Sequence, residues 1–115
     1  MKNYTDLFNL TGKRALITGS TGGIGKDLAK GLASAGAEII INSRTTKDVE
    51  AVTKEFIQQG IKAHPLCFDV TQHNDVKSSI NEFEASVGSI DILVNNAGIQ
   101  IRSALESFDP EISTA

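Results

Sequence analysis

The chain has 115 residues, of which 40% are hydrophobic and 22% are charged, and its formal net charge is −3. This composition predicts a globular protein, and the mild acidity argues against a nucleic-acid or anionic-membrane partner, since such partners require clustered Lys and Arg. The single cysteine, Cys67, excludes an internal disulfide and fits a reducing compartment. The opening segment MKNYTDLFNLTGK has no apolar core, and no stretch approaches the roughly 18 apolar residues of a membrane span. We therefore expect a cytoplasmic protein without a signal peptide.

Apolar runs and apolar stripes at helical spacing alternate along the chain, and they predict strands and helices in turn. The predicted strands are residues 15–18, 38–42, 61–68 (weakened by Pro65) and 90–94. Three predicted helices each have an apolar stripe, which consists of Ile24, Leu28, Leu32 and Ala35 in the first, Val49, Val52 and Phe56 in the second, and Val76, Ile80, Phe83 and Val87 in the third. The three helices are predicted to end at Gly36, Gly60 and Gly88. We expect Gly31 to allow the first helix to pack closely on the sheet, and Thr71 to cap the third helix.

This alternation predicts βαβ units, which build a parallel sheet with helices on both faces. The strands are apolar almost throughout, as is usual when both faces of a sheet are covered. The expected fold class is α/β, a Rossmann-type doubly wound parallel sheet.

The sequence TGSTGGIG occupies residues 18–25, between the first strand and the first helix. Backbone N–H groups and the positive end of the helix dipole favour an anion there, and glycine lets the backbone approach a dinucleotide pyrophosphate. A plain glycine turn is the alternative, whereas a Walker A loop fits poorly because Asp27 replaces the magnesium-binding Ser or Thr. The residues predicted to hold the pyrophosphate are Gly19, Ser20, Thr21, Gly22, Gly23, Ile24 and Gly25.

Three features together resemble the short-chain dehydrogenase/reductase family. TGSTGGIG is similar to the family's cofactor-loop motif TGxxxGIG, NNAG follows the fourth strand at residues 95–98, and Asp69 ends the third strand. The resemblance covers residues 7–108. It implies that Asp69 and Val70 lie at the adenine ring and that Asn96, Ala97 and Gly98 line the adenosine side of the pocket, although asparagines after a strand are also ordinary turn formers.

The end of the second strand bears on the choice of cofactor. In NAD-binding Rossmann proteins an acidic residue at this point binds the ribose 2′-hydroxyl, and it would repel the extra phosphate of NADP. Here Ser43 takes that place and Arg44 follows, so a guanidinium is available to bind a phosphate with two hydrogen bonds. We therefore predict NADP in preference to NAD, the alternative being that Arg44 is a solvated loop residue.

The resemblance implies a reaction that interconverts an alcohol and a ketone by hydride transfer. The segments LFNLTGKRALITGS, GAEIIINSR and NNAGIQ are most like family members that act on sugar acids such as gluconate and 5-ketogluconate. A 3-oxoacyl-carrier-protein reductase lineage is the alternative within the family. A methyltransferase-like sheet shares the glycine loop but does not predict NNAG.

No catalytic residue can be assigned in this sequence. The family uses a serine and a tyrosine–lysine pair four residues apart, but the single tyrosine here is Tyr4, and Phe8 stands four residues on. We therefore expect residues 1–115 to be the N-terminal part of a single NAD(P)-binding Rossmann domain, truncated after the fourth strand. A helix start at Asp109 and Pro110, close to the last residue, favours the same interpretation. A catalytically inert dinucleotide-binding fragment remains open.

The expected partners are a dinucleotide cofactor and, only in a full-length form, a small-molecule substrate. Full-length relatives are usually homotetramers. A metal site is not expected, because His64, Cys67 and His73 match none of the usual zinc-ligand spacings.

Overall fold

A computed structural model describes residues 9–99, in which strands and helices alternate. The elements are β1 (Arg14–Ile17), α1 (Gly23–Ser34), β2 (Glu38–Ile41), α2 (Thr46–Gln58), β3 (Ala63–Pro65), α3 (His73–Ser86), β4 (Ile92–Val94) and α4 (Asn96–Ile99). Tyr4 and the helix start predicted at Asp109 lie outside the described residues. None of the helices within residues 9–99 combines the length and the apolar run needed to cross a bilayer.

The strands form one parallel sheet in the order β3-β2-β1-β4. Leu16 of β1 pairs with Ile40 on one side and with Leu93 on the other. Because all strands are parallel, the loops that follow them meet at the carboxyl-terminal edge of the sheet. The predicted Rossmann-type α/β fold is confirmed.

Apolar side chains alternate between the two faces of the sheet, and each face has its own core. On one face, Ile17 and Ile39 pack in a cluster with Phe56 of α2. On the other, Leu16 and Ile40 pack with Phe83 of α3 and with Phe68. Burying a side chain of this size stabilises a fold by about 1.5–3 kcal/mol, so both layers of helices are held on the sheet by their apolar faces.

Helix α1 differs from the prediction in the face that it buries. Ile24 and Leu28 of the predicted stripe are 66% and 38% exposed, whereas Gly25 and Ala29 are buried. The small residues face the sheet because they let the helix approach it closely. The expectation for Gly31 is wrong, since a Cβ atom there would have nothing within 4 Å.

The third strand is shorter than predicted. β3 ends at Pro65, which has no N–H group with which to continue the ladder. The chain still follows β2 for a short distance, because the N–H groups of Leu66 and Phe68 donate to the carbonyls of Ile41 and Ser43, at 2.9 Å and 3.2 Å.

The C-terminal ends of the helices agree with the prediction, whereas the N-cap of α3 does not. Helices α1, α2 and α3 end shortly before Gly36, Gly60 and Gly88, as predicted. Thr71 is not the cap of α3; Gln72 occupies that position. The hydroxyl and the N–H group of Thr71 donate instead to the Asp69 carboxylate, in the turn that precedes the helix.

Candidate cofactor-binding site

A cavity of about 370 Å³ lies at the carboxyl-terminal edge of the sheet, where the loops after β1, β2, β3 and β4 converge. Open α/β sheets bind their ligands at this edge. The residues that line the cavity are Gly19, Asn42, Ser43, Arg44, Phe68, Asp69, Val70, Thr71, Asn96 and Ala97. Most of the residues predicted to bind adenosine and ribose are thus brought together from three separate loops, which follow β2, β3 and β4.

The glycine loop runs from the end of β1 to the first turn of α1. Gly19 has a φ of +60°, a backbone conformation that residues other than glycine rarely adopt. No side chain of the described residues caps α1 at Gly22, and the first N–H groups of a helix have no intrahelical acceptors. These groups and the helix dipole favour an anion.

The remaining residues of the predicted pyrophosphate site lie in this loop and first turn, outside the lining of the cavity. Thr21 is half-buried, and Gly22, Gly23 and Ile24 are exposed. Ser20 is fully buried: its N–H group donates to the Asn42 carbonyl at 2.8 Å, and its hydroxyl accepts from the Asn42 N–H group at 2.9 Å. The Ser20 hydroxyl is therefore turned towards the end of β2.

Gly25 has no room for a side chain, because the backbone of Gly19 and the side chain of Asn96 lie against it. A Cβ atom there would overlap the Gly19 carbonyl oxygen and would lie 2.5 Å from Nδ2 of Asn96. The absence of a side chain lets α1 start directly behind the glycine loop, with the NNAG segment against both. The last glycine of the motif thus serves internal packing.

The NNAG segment is fastened to the loop after β1 by side-chain hydrogen bonds. Asn96 Nδ2 donates to the Gly19 carbonyl at 3.1 Å, and the Ala97 N–H group donates to the Thr18 hydroxyl at 3.0 Å. That hydroxyl has two acceptors within reach, Asn95 Oδ1 at 3.3 Å and the Val94 carbonyl at 3.4 Å. Gly98 follows in α4. These contacts fix the cavity wall formed by Asn96 and Ala97.

The loop after β2 forms the opposite side of the cavity. The Ser43 hydroxyl donates to the Thr45 carbonyl at 3.2 Å and accepts from the Thr45 N–H group at 3.1 Å, so it shapes the turn into α2. Arg44 is exposed and lines the cavity, and its guanidinium has no hydrogen bond to another residue of the 9–99 segment. A cationic group is therefore available at this rim.

Asp69 contributes the negative charge of the site. Its Oδ1 atom accepts from the N–H group of Thr71 at 2.9 Å and from the Thr71 hydroxyl at 2.8 Å. These two hydrogen bonds, together with the charge of Arg44, outweigh partial burial and lower the pKa of Asp69 below its ordinary value. The carboxylate is therefore ionised at neutral pH and holds the turn before α3.

Three residues of the cavity were not predicted from the sequence: Asn42, Phe68 and Thr71. Asn42 had a visible signal, because it is a polar residue directly after the run Ile39–Ile41 of a buried strand. Phe68 directly precedes Asp69 and Thr71 follows it by two residues, and neither belongs to a sequence motif.

The histidines and the cysteine are dispersed. His64 Nε2 lies 2.6 Å from Glu38 Oε2, and Cys67 Sγ accepts a hydrogen bond from the Thr46 hydroxyl at 3.4 Å. His73 is the first residue of α3. Among residues 9–99, no three His, Cys, Asp or Glu side chains lie close enough together to hold a metal ion.

A parallel sheet with a glycine loop between β1 and α1, and with a polar cleft at the ends of its strands, defines a dinucleotide-binding domain. The chain belongs to the short chain dehydrogenase family, which it matches over residues 13–114.

Particular members of the family are similar over most of the chain. It is 46% identical to gluconate 5-dehydrogenase of Gluconobacter oxydans over 106 residues, which are 92% of this chain and 41% of the relative. The identity is also 46% to 5-keto-D-gluconate 5-reductase of Escherichia coli K12, over 90% of this chain and 41% of that enzyme. The crystal structure of a gluconate 5-dehydrogenase from Burkholderia cenocepacia, in complex with NADP and tartrate, superposes with a TM-score of 0.81 at 51% identity, over 96% of this chain and 43% of that one. The chain thus spans about two fifths of the length of these relatives.

Proposed function

We propose that this chain binds NADP(H) in the cleft at the carboxyl-terminal edge of its sheet. The observation that carries the proposal is the charge pattern at the end of β2. Arg44, and no acid, follows Ser43 at the cavity rim, so a 2′-phosphate would meet a guanidinium without a facing carboxylate on this loop. The NADP complex of the Burkholderia relative supports the same cofactor.

The proposed contacts extend from the 2′-phosphate to the adenine and the pyrophosphate. The uncapped N terminus of α1 at Gly22 would receive the pyrophosphate, and Asp69 and Val70 would lie at the adenine. Asn96, Ala97 and Gly98 would line the adenosine side. When bound, the nicotinamide supplies the hydride acceptor or donor; the described residues supply binding and orientation.

We further propose that residues 1–115 are the cofactor-binding part of a longer Rossmann-domain oxidoreductase, which interconverts an alcohol and a ketone of a sugar acid. The names of the Gluconobacter and Escherichia coli relatives support gluconate and 5-ketogluconate as substrates. A 3-oxoacyl-carrier-protein reductase lineage is the alternative. Cytoplasmic location and the tetrameric state of full-length relatives stay predictions.

Binding of NADPH and NADH to the purified chain, measured by calorimetry, tests the cofactor proposal. We expect the chain to bind NADPH more tightly than NADH. Arg44→Ala removes charged hydrogen bonds of about 1.5–3 kcal/mol, so NADPH should bind roughly ten- to a hundredfold more weakly, while NADH is unaffected. Lys54→Ala removes an equal charge from an exposed position of α2 and serves as the control. Equal or tighter binding of NADH to the unaltered chain would overturn the proposal.

A dehydrogenase assay with gluconate and NADP separates cofactor binding from catalysis. The sequence has no tyrosine followed four residues later by lysine, so we expect NADPH binding without turnover. Turnover above background would contradict the assignment of these residues to cofactor binding alone.

A further inference from the structure

Asn42 lines the cleft, although neither the glycine-loop motif nor NNAG includes it. It directly follows β2, and only 1% of its surface is exposed. Its Oδ1 atom accepts from the Gly19 N–H group at 3.1 Å, and its Nδ2 atom donates to the carbonyls of Leu66 and Phe68 at 2.9 Å and 3.3 Å. One buried carboxamide therefore joins the glycine loop to the segment that leads into Asp69.

The chemistry of these partners requires an amide. A backbone N–H group can only donate, and two backbone carbonyls can only accept, so the site needs an acceptor on one side and a donor on the other. A carboxylate would turn an oxygen towards the carbonyls of Leu66 and Phe68, and an apolar side chain would leave all three groups unpaired. Buried polar groups without partners cost about 1–3 kcal/mol each.

Gly19 is held at both of its polar atoms by asparagines from different strand ends. Asn42 binds its N–H group, and Asn96 Nδ2 donates to its carbonyl oxygen at 3.1 Å. This arrangement fixes the left-handed turn of Gly19, with its φ of +60°. The direction in which the following N–H groups of the loop point is therefore tied to the ends of β2 and β4.

We infer that Asn42 is a positioning residue that sets the separation between the glycine loop and Asp69, and thereby couples the pyrophosphate and adenine ends of the cleft. The inference rests on the proposed NADP(H) binding. It assigns to Asn42 no contact with the cofactor: its effect passes through Gly19 on one side and through Phe68 and Asp69 on the other.

The first test measures NADPH binding to Asn42→Asp, which retains the acceptor for Gly19 but loses both donors. We expect NADPH to bind at least tenfold more weakly at a temperature where circular dichroism shows the variant to be folded. Asn74→Asp, at an exposed position of α3, introduces the same charge and should bind as the unaltered chain does. If Asn42→Asp does not fold, Asn42→Ser removes the bridge without burying a charge.

A double-mutant cycle with Asp69→Ala separates positioning from general stability. If Asn42 acts through the Asp69 segment, its substitution should weaken NADPH binding by less than threefold once Asp69 is alanine. Full additivity, or unchanged NADPH affinity in both folded Asn42 variants, would overturn the inference. Failure of the unaltered chain to bind NADPH would instead overturn the proposed function.

Discussion

The two edges of the sheet both carry polar side chains, but they use them differently. At the amino-terminal edge, Glu38 accepts from Arg14 Nε at 2.9 Å and lies 2.6 Å from His64 Nε2, so side chains of neighbouring strands bind one another. At the carboxyl-terminal edge, Asn42 and Asn96 bind backbone groups instead.

The difference identifies the functional edge. At the amino-terminal edge, the Glu38 carboxylate binds Arg14 and His64, and we expect these contacts to contribute to stability. At the carboxyl-terminal edge, Asn42, Asn96 and the Asp69 carboxylate bind backbone groups, and the guanidinium of Arg44 has no hydrogen bond within residues 9–99 and is available for a ligand. Three substitutions, at the start of α1, at the amino-terminal edge and between α1 and α2, test these roles in order of decreasing expected effect.

Gly25→Ala should have the largest effect, because its Cβ atom would overlap the Gly19 carbonyl oxygen, a backbone atom that cannot move without moving the loop. We expect NADPH binding to be lost and the free energy of unfolding to fall by about 1–3 kcal/mol, as for an overpacked core. Gly31→Ala, in the same helix but with open space around it, is the matched control and should raise stability by about 0.5–1 kcal/mol. Equal NADPH affinities and equal free energies of unfolding for the two variants would contradict the packing role of Gly25.

Glu38→Gln should change stability in a pH-dependent way and leave NADPH binding unchanged. Burial raises the pKa of Glu38, but the hydrogen bonds and charges of His64 and Arg14 outweigh it and hold that pKa below its ordinary value of 4.5. A carboxylate with a lowered pKa in the folded state stabilises the fold above its unfolded pKa, and this stabilisation is lost as the pH falls through the folded value.

Thermal unfolding between pH 7 and pH 3 measures this effect. The unaltered chain should lose stability below about pH 4.5, whereas Glu38→Gln should be less stable at pH 7 and lose less on acidification. Parallel curves for the two proteins would show that the cluster around Glu38 contributes nothing to stability.

Lys26→Ala should have the smallest effect. Lys26 Nζ lies 2.8 Å from Glu55 Oε2 and joins α1 to α2, but 25% and 40% of the two side chains are exposed. Such pairs contribute at most about 1 kcal/mol, and less at high salt. Urea unfolding of Lys26→Ala, of Glu55→Ala and of the double variant gives the coupling energy of the pair. A value above about 2 kcal/mol would contradict the weak contribution expected of an exposed ion pair.

Much of the fold and the location of the cleft could be predicted from the sequence, because strand–helix alternation, the glycine loop and NNAG are local patterns. The role of Asn42 could not, since its partners Leu66 and Phe68 come beside it only when β3 pairs with β2. The prediction also chose the wrong glycine of α1 for close packing, Gly31 in place of Gly25. Helical spacing does not distinguish the two, because the difference depends on the Gly19 carbonyl oxygen, which lies against Gly25 only in the folded chain.

Amide chemical shifts recorded while NADPH is added to the 115-residue chain test the division between the two edges most directly. We expect the largest changes on residues 21–24, at the N terminus of α1, and on residues 69–71, before α3. Changes concentrated instead around Arg14, Glu38 and His64, at the opposite edge, would contradict it.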